Sequence, residues 1–381
     1  MLLNDLPDEC LWLIFDNFFE LEELIQLSKV CSKWSNLIDI RLKKVKYLLN
    51  KETVSHSDYS KVWMENPETI ESYNLRRLLP NLRILDIFPY INGGPRRSSN
   101  YKQIVNNNPK VKGLIGLVGL VFKYNIDLKV IRMVSMNTQF YYTFEYKKLF
   151  RPNQLQQIRY NGVFNLKELS ELVQYFPNLK RLNITLQGKH VRYNGPNLSN
   201  LKIFESSVDG WSSICNAIHV IDFCPSLESA YIHGQSDDEF INMTQKNYNL
   251  RDLVIVILFK ESITWAFLRR LLSKYPNLQN LAIRGGDTIE DNLVEELVKL
   301  LPKIKLLDFR RSQKVTQKSA DFLSKFYLES NRLIKIYFNC EREPTDWPKL
   351  NTPNDQIFYG FDFMKHCFYK SFSTLPDLID E

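Results

Sequence analysis

The chain has 381 residues, of which 44% are hydrophobic and 24% charged, and a formal net charge of +7. This composition is typical of an ordinary soluble protein with a sizeable core and more than one structural unit. The absence of an 18-residue apolar run predicts no transmembrane helix, and acidic residues in and beside the first apolar run argue against a secretory signal.

Six cysteines, at positions 10, 31, 215, 224, 340 and 367, form no C-x-x-C pair and show no metal-ligand spacing. They predict reduced thiols in a protein of the cytoplasm, the nucleus or both. The charge is uneven: residues 1–40 hold eight acidic and two basic side chains, a net charge of −6, so the remainder carries +13. Either two modules of different origin were joined, or an acidic head precedes a basic body suited to acidic partners.

The first predicted helix is apolar around nearly its whole circumference. Seven large apolar residues lie between Leu11 and Phe19, after Pro7 and two acidic residues that suit a helix start. Two further short helices follow, with apolar spacings of three and four from Leu21 to Val30 and from Cys31 to Ile38. Forty residues cannot cover this apolar surface, so either the rest of the chain or a partner must cover it.

These residues resemble the F-box over roughly residues 3–45: Leu6-Pro7-Asp8-Glu9, Leu13-Ile14-Phe15, and Leu24-x-x-Leu27-Ser28-x-Val30-Cys31-x-x-Trp34. The resemblance implies docking onto a Skp-type adaptor of cullin–RING (SCF) ubiquitin ligases. The residues expected at that contact are Leu6, Pro7, Ile14, Phe15, Leu24, Leu27, Ser28, Val30 and Cys31, whereas Trp34 is expected in the domain's own core. The turn Phe18-Phe19-Glu20 departs from the family's more usual leucine-containing turn.

Residues 46–75 are predicted to be a helical linker that caps the first repeat, with Trp63 in a connecting helix. The basic run Arg41, Lys43, Lys44 and Lys46 is interpreted as a solvated helix end rather than a nuclear-targeting or nucleic-acid signal.

From residue 76 to 345 the chain repeats the strand pattern L-x-x-L-x-[I/F]. Clear copies begin at Leu79, Phe176, Cys224, Tyr275 and Leu301, weaker ones at Asn197, Asn249 and Arg332, and still weaker candidates are Leu128/Ile131 and Leu155/Ile158. Before Pro177, Pro225, Pro276 and Pro302, apolar residues recur 8, 5, 4 and 1 positions upstream. That spacing predicts an amphipathic helix before each strand.

The repeat resembles the leucine-rich repeat, which implies an irregular α/β solenoid with parallel strands on the concave side and helices on the convex side. A doubly wound α/β sheet is the alternative; the short, roughly 23- to 29-residue spacing between units weighs against it. No regular Asn or Cys follows the strands, and loops are expected near residues 89–108 and 186–195.

The aromatic segment within residues 346–381 is predicted to be a C-terminal cap or tail. It should cover the open end of the last repeat; the alternative is that it folds onto the concave face.

No catalytic pattern is found. There is no G-x-S-x-G, P-loop or H-E-x-x-H; the five histidines (56, 190, 219, 233 and 366) are isolated; and GLIGLVGL at 113–120 is interpreted as a packed strand. Cys10 and Cys31 are expected to be inert core thiols. The sequence therefore predicts a binding protein rather than an enzyme, with no cofactor and no metal.

Alternation along each strand places the residues between and after the motif's apolar positions on the concave surface. Arginines and aromatics are common binding anchors there. The predicted substrate-binding row is Arg159, Lys202, Phe204, Tyr231, His233, Arg284, Arg310 and Tyr337.

Together these features predict the substrate-recognition subunit of an SCF-type ligase. Its partners would be a Skp-type adaptor, through it a cullin–RING ligase, and a protein substrate that is acidic or phosphorylated, with neither nucleic acid nor membrane. The alternatives are a repeat scaffold that binds only the adaptor, and a receptor that depends on a small anion.

Overall fold

The computed structural model describes residues 3–49, 60–64, 73–86, 105–116, 128–136, 145–187, 192–208, 217–234, 241–257, 263–338 and 357–380. Much of the two predicted loops lies outside these residues, as do His56, His190, Cys215 and Cys340. The chain forms two compact units: Met1–Leu155 with Leu350–Tyr359 and Pro376–Glu381, and Gln156–Lys349 with Gly360–Leu375.

The first unit begins with a 3₁₀ turn and three helices and continues into a parallel sheet. The 3₁₀ turn is Leu3–Asp5, and the helices are α1 (Asp8–Phe15), α2 (Leu21–Leu27), α3 (Ser32–Lys43), α4 (Leu75–Leu78) and α5 (Tyr146–Leu149). The strands are β1 (Tyr47–Leu49), β2 (Lys61–Trp63), β3 (Ile84–Asp86), β4 (Gly113–Ile115) and β5 (Met133–Met136). They pair in the order β5-β4-β3-β1-β2, always in parallel.

The prediction of a helical linker at residues 46–75 is wrong for its described part. Tyr47, Leu48 and Leu49 are buried on both faces of β1, which hydrogen-bonds to β2 and β3. A short run of buried residues with no helical periodicity is typical of a central parallel strand. Trp63 lies in β2 rather than in a connecting helix and packs against the core that contains Tyr47 and Leu49.

The second unit is a run of helix–turn–strand repeats. Its helices are α6 (Leu166–Tyr175), α7 (Ala217–Ile221), α8 (Trp265–Leu272), α9 (Asp291–Leu300), α10 (Gln317–Ser330) and α11 (Phe363–His366). Its strands are β6 (Gln157–Phe164), β7 (Arg181–Leu186), β8 (Ile203–Val208), β9 (Ser229–Gly234), β10 (Asp252–Ile257), β11 (Asn280–Arg284), β12 (Leu306–Phe309) and β13 (Lys335–Phe338). Each strand pairs in parallel with the next along the chain. This solenoid-like α/β arrangement confirms the predicted fold class.

The apolar residues predicted to line one face of each helix, counted back from the prolines, form the core between helices and strands. All sixteen apolar residues counted back from Pro177, Pro225, Pro276 and Pro302 are at most 2% exposed. α6, α7, α8 and α9 end two to four residues before those prolines. This burial follows because neither a helix nor a strand of one repeat can cover its apolar face alone.

An asparagine just before several strands links neighbouring turns. The side-chain amides of Asn200, Asn249 and Asn277 donate to the carbonyl oxygens of Pro177, Pro225 and Tyr248 at 3.1, 2.8 and 2.7 Å. The family pattern would place a regular Asn after the strand, where this chain has none. The Asn-Leu pair before these strands was the signal that could have shown the ladder.

The strand register corrects the motif in one repeat. Leu182 aligns with Phe204 and Asn183 with Glu205, so the motif reads from Leu201 rather than from Leu198. Phe204 therefore faces the helices and is fully buried, whereas Glu205 is the outward residue. The weak candidate Leu128/Ile131 shifts in the same way, because β5 aligns Val134 with Leu114.

The C-terminal segment contributes to both units. In the second unit it forms α11 and a 3₁₀ turn, Phe372–Thr374. In the first unit β14 (Ile357–Tyr359) pairs in parallel with β15 (Leu378–Asp380). Within the described residues, no helix is long and apolar enough to cross a bilayer.

Candidate functional site

The start of α1 is fixed by contacts to α3. Pro7 is the N-cap, and Asp8 and Glu9 occupy the first turn, where the helix dipole favours negative charge. The ammonium group of Lys33 donates to the carbonyl oxygens of Leu6 at 2.8 Å and Asn4 at 3.4 Å, and it lies 3.2 Å from the carboxylate of Asp8. The segment before α1 is thereby held against the first turn of α3.

α1 buries one face and exposes an apolar one. Leu11 and Phe15, one turn apart, are 0% and 1% exposed, and Phe15 meets Trp34 edge to face with centroids 5.2 Å apart. Leu13 is 68% exposed, Cys10 is exposed, and Ile14 is half-buried. Cys10 and Ile14 are four residues apart, so they share one face of the helix, beside the buried one.

A second apolar patch lies where α2 meets α3. Val30 is 57% exposed and Leu3 is 50% exposed. The thiol of Cys31, the N-cap of α3, lies 3.8 Å from the side-chain oxygen of Asn4, which brings the N-terminal turn beside this junction. Five of the eleven exposed large apolar side chains in the described part of the chain lie within residues 3–40. The apolar surface is therefore concentrated on this small module.

The structure sorts the predicted adaptor-binding residues into surface and core. Pro7 and Val30 are exposed, and Leu6, Ile14, Leu27, Ser28 and Cys31 are half-buried. Phe15 and Leu24 are fully buried in the domain's own core. Trp12 and Leu13 are exposed but were not predicted at this surface; their place in an apolar helix without complete cover was the available signal.

The prediction that Cys10 is a core thiol is wrong, because it lies on the outer side of α1 with Ile14. Cys31 is only half-buried.

The unusual Phe18-Phe19-Glu20 turn joins the three-helix module to β2. The backbone N–H of Trp63 donates to the carbonyl oxygen of Phe19 at 2.8 Å, and Glu20 forms a parallel bridge with Trp63. Buried Arg41 donates to the carbonyl oxygens of Phe18 and Lys61 at 3.4 and 3.3 Å. Backbone atoms of this turn thus hold the three-helix module to β2.

The predicted substrate-binding row meets the chain's own C-terminal segment. Arg284 and Arg310 both donate to the fully buried carboxylate of Asp308, at 2.8–3.0 Å. Arg284 also donates to the carbonyl oxygens of Lys370, at 2.8 Å, and Phe368, and Arg310 donates to that of Tyr369 at 3.2 Å. Burial favours the neutral acid, but the two guanidinium groups prevail and hold the pKa of Asp308 below its usual value.

The same segment covers the row on β6 and β9. Arg159 donates to the carbonyl oxygen of Leu375 at 2.9 Å. The ring of Phe372 lies 5.9 Å from that of Tyr231 and 5.4 Å from that of His233. Burial lowers the pKa of His233 to about 4.

Three members of the row are placed differently. Phe204 is in the core, Lys202 lies before β8 with its ammonium group 2.8 Å from Glu228, and half-buried Tyr337 lies in β13 next to Asp308. The described residues contain no group of three or more His, Cys, Asp or Glu placed to hold a metal ion.

The C-terminal segment follows the second of the two predicted alternatives. Its described residues fold onto the outward strand residues, as Arg159, Arg284 and Arg310 show. Phe363, Cys367, Phe368 and Leu375 are at most 2% exposed, and their burial against the strands provides the driving force. The buried guanidinium groups need acceptors, which the segment's carbonyl oxygens supply.

Comparison with known proteins agrees with the N-terminal geometry. Residues 3–47 match the family model of the F-box-like domain. No curated protein matches the chain. Among solved structures, the chain is similar to one described as the crystal structure of the Rad7 and Elc1 complex in yeast, at 14% identity and a TM-score of 0.40, covering 82% of this chain and 90% of that one. Residues 3–47 of this chain therefore belong to the F-box-like family.

Proposed function

We propose that this protein is the substrate-recognition subunit of an SCF-type cullin–RING ubiquitin ligase. The observation that carries the proposal is the apolar side chains that the F-box-like domain exposes: Leu13 on α1 and Val30 at the junction of α2 and α3, together with Pro7 and half-buried Ile14. Exposed apolar patches of this kind mark protein interaction sites. A Skp-type adaptor is the partner that the domain's family implies.

The repeats would hold a protein substrate while the adaptor links the chain to a cullin–RING ligase. Catalysis would then be positional, because holding the substrate beside a ubiquitin-loaded enzyme raises the effective concentration of its lysines. This chain would contribute no catalytic residue and no cofactor. It would act in the cytoplasm, the nucleus or both.

Co-purification with a Skp-type adaptor tests the docking surface. The double variant Ile14→Asp with Val30→Asp should lose the adaptor, since both positions have solvent-accessible side chains on the proposed contact. Leu328→Asp is the matched control, because Leu328 is an 83% exposed leucine on α10, outside the domain. Unchanged adaptor binding by the double variant would contradict the proposal.

A ligase subunit is distinguished from a scaffold by the fate of captured proteins. The double variant keeps the repeats but should lose the adaptor, so it should retain substrates that the wild-type chain passes on for ubiquitination. Proteins enriched on the variant should be ubiquitinated in a reconstituted reaction with the wild-type chain. If none is modified, the chain is a scaffold.

A further inference from the structure

Basic side chains line the edge of the first unit's sheet at which the parallel strands begin. Lys46, Arg83, Lys112 and Arg132 each directly precede a strand. Their backbones form one hydrogen-bonded file: Arg83 N–H donates to Lys46 O at 2.7 Å, Lys112 N–H to Arg83 O at 2.8 Å, and Arg132 N–H to Lys112 O at 2.7 Å. Neighbouring positions in such a file are about 4.8 Å apart.

Two more cations, Lys110 and Lys129, lie beside this file. Both are exposed, as is Lys112, whereas Lys46, Arg83 and Arg132 are half-buried. Lys110 donates to the side-chain oxygen of Asn81 at 2.7 Å. We call these six cations the basic edge: Lys46, Arg83, Lys110, Lys112, Lys129 and Arg132.

The chain's own C-terminal segment shows which chemistry this edge accepts. The carboxylate of Asp380 lies 3.2 Å from the guanidinium group of Arg83 and accepts a hydrogen bond from the Tyr47 hydroxyl at 3.1 Å. An acidic residue in an extended strand, β15, therefore already meets Arg83, the second residue of the file. The remaining cations continue the same file along β4 and β5.

In the second unit, the corresponding file of residues before the strands contains an acidic residue at its centre, which pairs with the cations on both sides. There Lys202 lies 2.8 Å from Glu228, and Arg251 pairs with the same carboxylate from the other side. Both units carry cations before several of their described strands. In the second unit the acidic residue Glu228 belongs to the file itself, whereas the carboxylate that meets the file of the first unit, Asp380, comes from the C-terminal segment. The four residues of the first unit's file are therefore all cationic, an arrangement that attracts anions.

We propose that the basic edge is the docking surface for an acidic segment of the protein substrate. This inference rests on the proposed function and names the substrate class. The C-terminal segment covers outward strand residues such as Arg159 and Arg284, whereas Lys110, Lys112 and Lys129 of the basic edge are exposed. A protein segment fits better than single-stranded nucleic acid, because that ligand also requires exposed aromatic rings for base stacking. The exposed large aromatics in the described residues are Trp12, Tyr248 and Tyr327, none of which belongs to the edge.

Fluorescence anisotropy on the full-length chain tests the proposal. The probes are a labelled glutamate-rich dodecapeptide, the same peptide with glutamine in place of glutamate, and an oligothymidylate of equal length. Lys110→Glu with Lys112→Glu should weaken binding of the acidic peptide about tenfold, and more salt should weaken it in the wild type. Lys318→Glu with Lys325→Glu, at exposed positions of α10, reverses the same number of charges and should leave binding unchanged.

A Lys110→Gln, Lys112→Gln variant, which removes charge without adding repulsion, should show a smaller loss in the same direction. Binding of the acidic peptide that is insensitive to these changes would overturn the proposal. So would tighter, equally sensitive binding of the oligothymidylate, which would make the edge a nucleic-acid surface. Adaptor co-purification is scored separately: failure of the wild-type chain to bind the adaptor refutes the proposed ligase role, whereas the peptide result refutes or supports the edge alone.

Discussion

Replacing Leu13 by alanine should weaken adaptor binding without destabilising the protein. Leu13 is 68% exposed on α1, so its truncation should lower the free energy of unfolding by less than about 0.5 kcal/mol. Full burial of a leucine contributes about 1.5–3 kcal/mol, and about two-thirds of that remains available to a partner. The expected loss is therefore about 1–2 kcal/mol, or about five- to thirtyfold in Kd by isothermal titration calorimetry.

Leu11→Ala is the matched control on the same helix. Leu11 is fully buried, so its truncation should cost about 2–5 kcal/mol of unfolding free energy and lower the midpoint of thermal unfolding. The two leucines are two positions apart, yet Leu13→Ala should weaken adaptor binding and Leu11→Ala should lower the stability. A Leu13→Ala variant that binds the adaptor as tightly as the wild type would refute the assignment of this helix face.

Three further predictions follow from the same structure. Cys10, which is exposed, should react with a maleimide in the free protein and be protected by the adaptor, as mass spectrometry of the labelled peptide would show; equal labelling with and without adaptor would contradict this. Because burial lowers the pKa of His233 to about 4, its contribution to stability should be complete above about pH 6.5 and fall as the pH decreases towards 4. Thermal unfolding of His233→Gln should show a weaker pH dependence over that range, and an identical dependence would exclude this histidine as the cause. Deletion of residues 360–381 should abolish soluble, cooperatively folding protein, because buried side chains such as Phe368 are removed from the strands that they cover; a truncated chain with an unchanged thermal midpoint would contradict it.

The repeats were predictable because their signal is local and periodic. Apolar spacing before each proline located the buried face of α6, α8 and α9, and all of those positions are in the core. The register in β8 was not predictable from one sequence, because Leu198 and Leu201 both fit the first motif position. Pairing with β7 decides between them by placing Phe204 beside Leu182.

The candidate site was only partly predictable for a different reason. The family motif indicated which residues belong to the docking module, but Phe15 and Leu24 share the motif with surface residues and pack inside. Contacts such as Arg159 with the carbonyl oxygen of Leu375 join residues more than 200 positions apart. No sequence spacing encodes such a pairing, so a surface that looked accessible strand by strand is covered in the folded chain.

The position of the covering segment has a consequence for the order of synthesis. The F-box-like helices lie within residues 3–47, which are synthesised well before the covering segment. Lys370 and Phe368 supply carbonyl partners of Arg284, and Asp380 supplies a carboxylate to Arg83. Packing of both units therefore waits until residues 368–380 have been synthesised, and a nascent chain can present its F-box-like helices while its repeats are still incomplete. A product cut short by a premature stop codon in this last stretch would combine a finished docking module with unfinished repeats, which makes it a candidate for early degradation and a potential competitor for the adaptor.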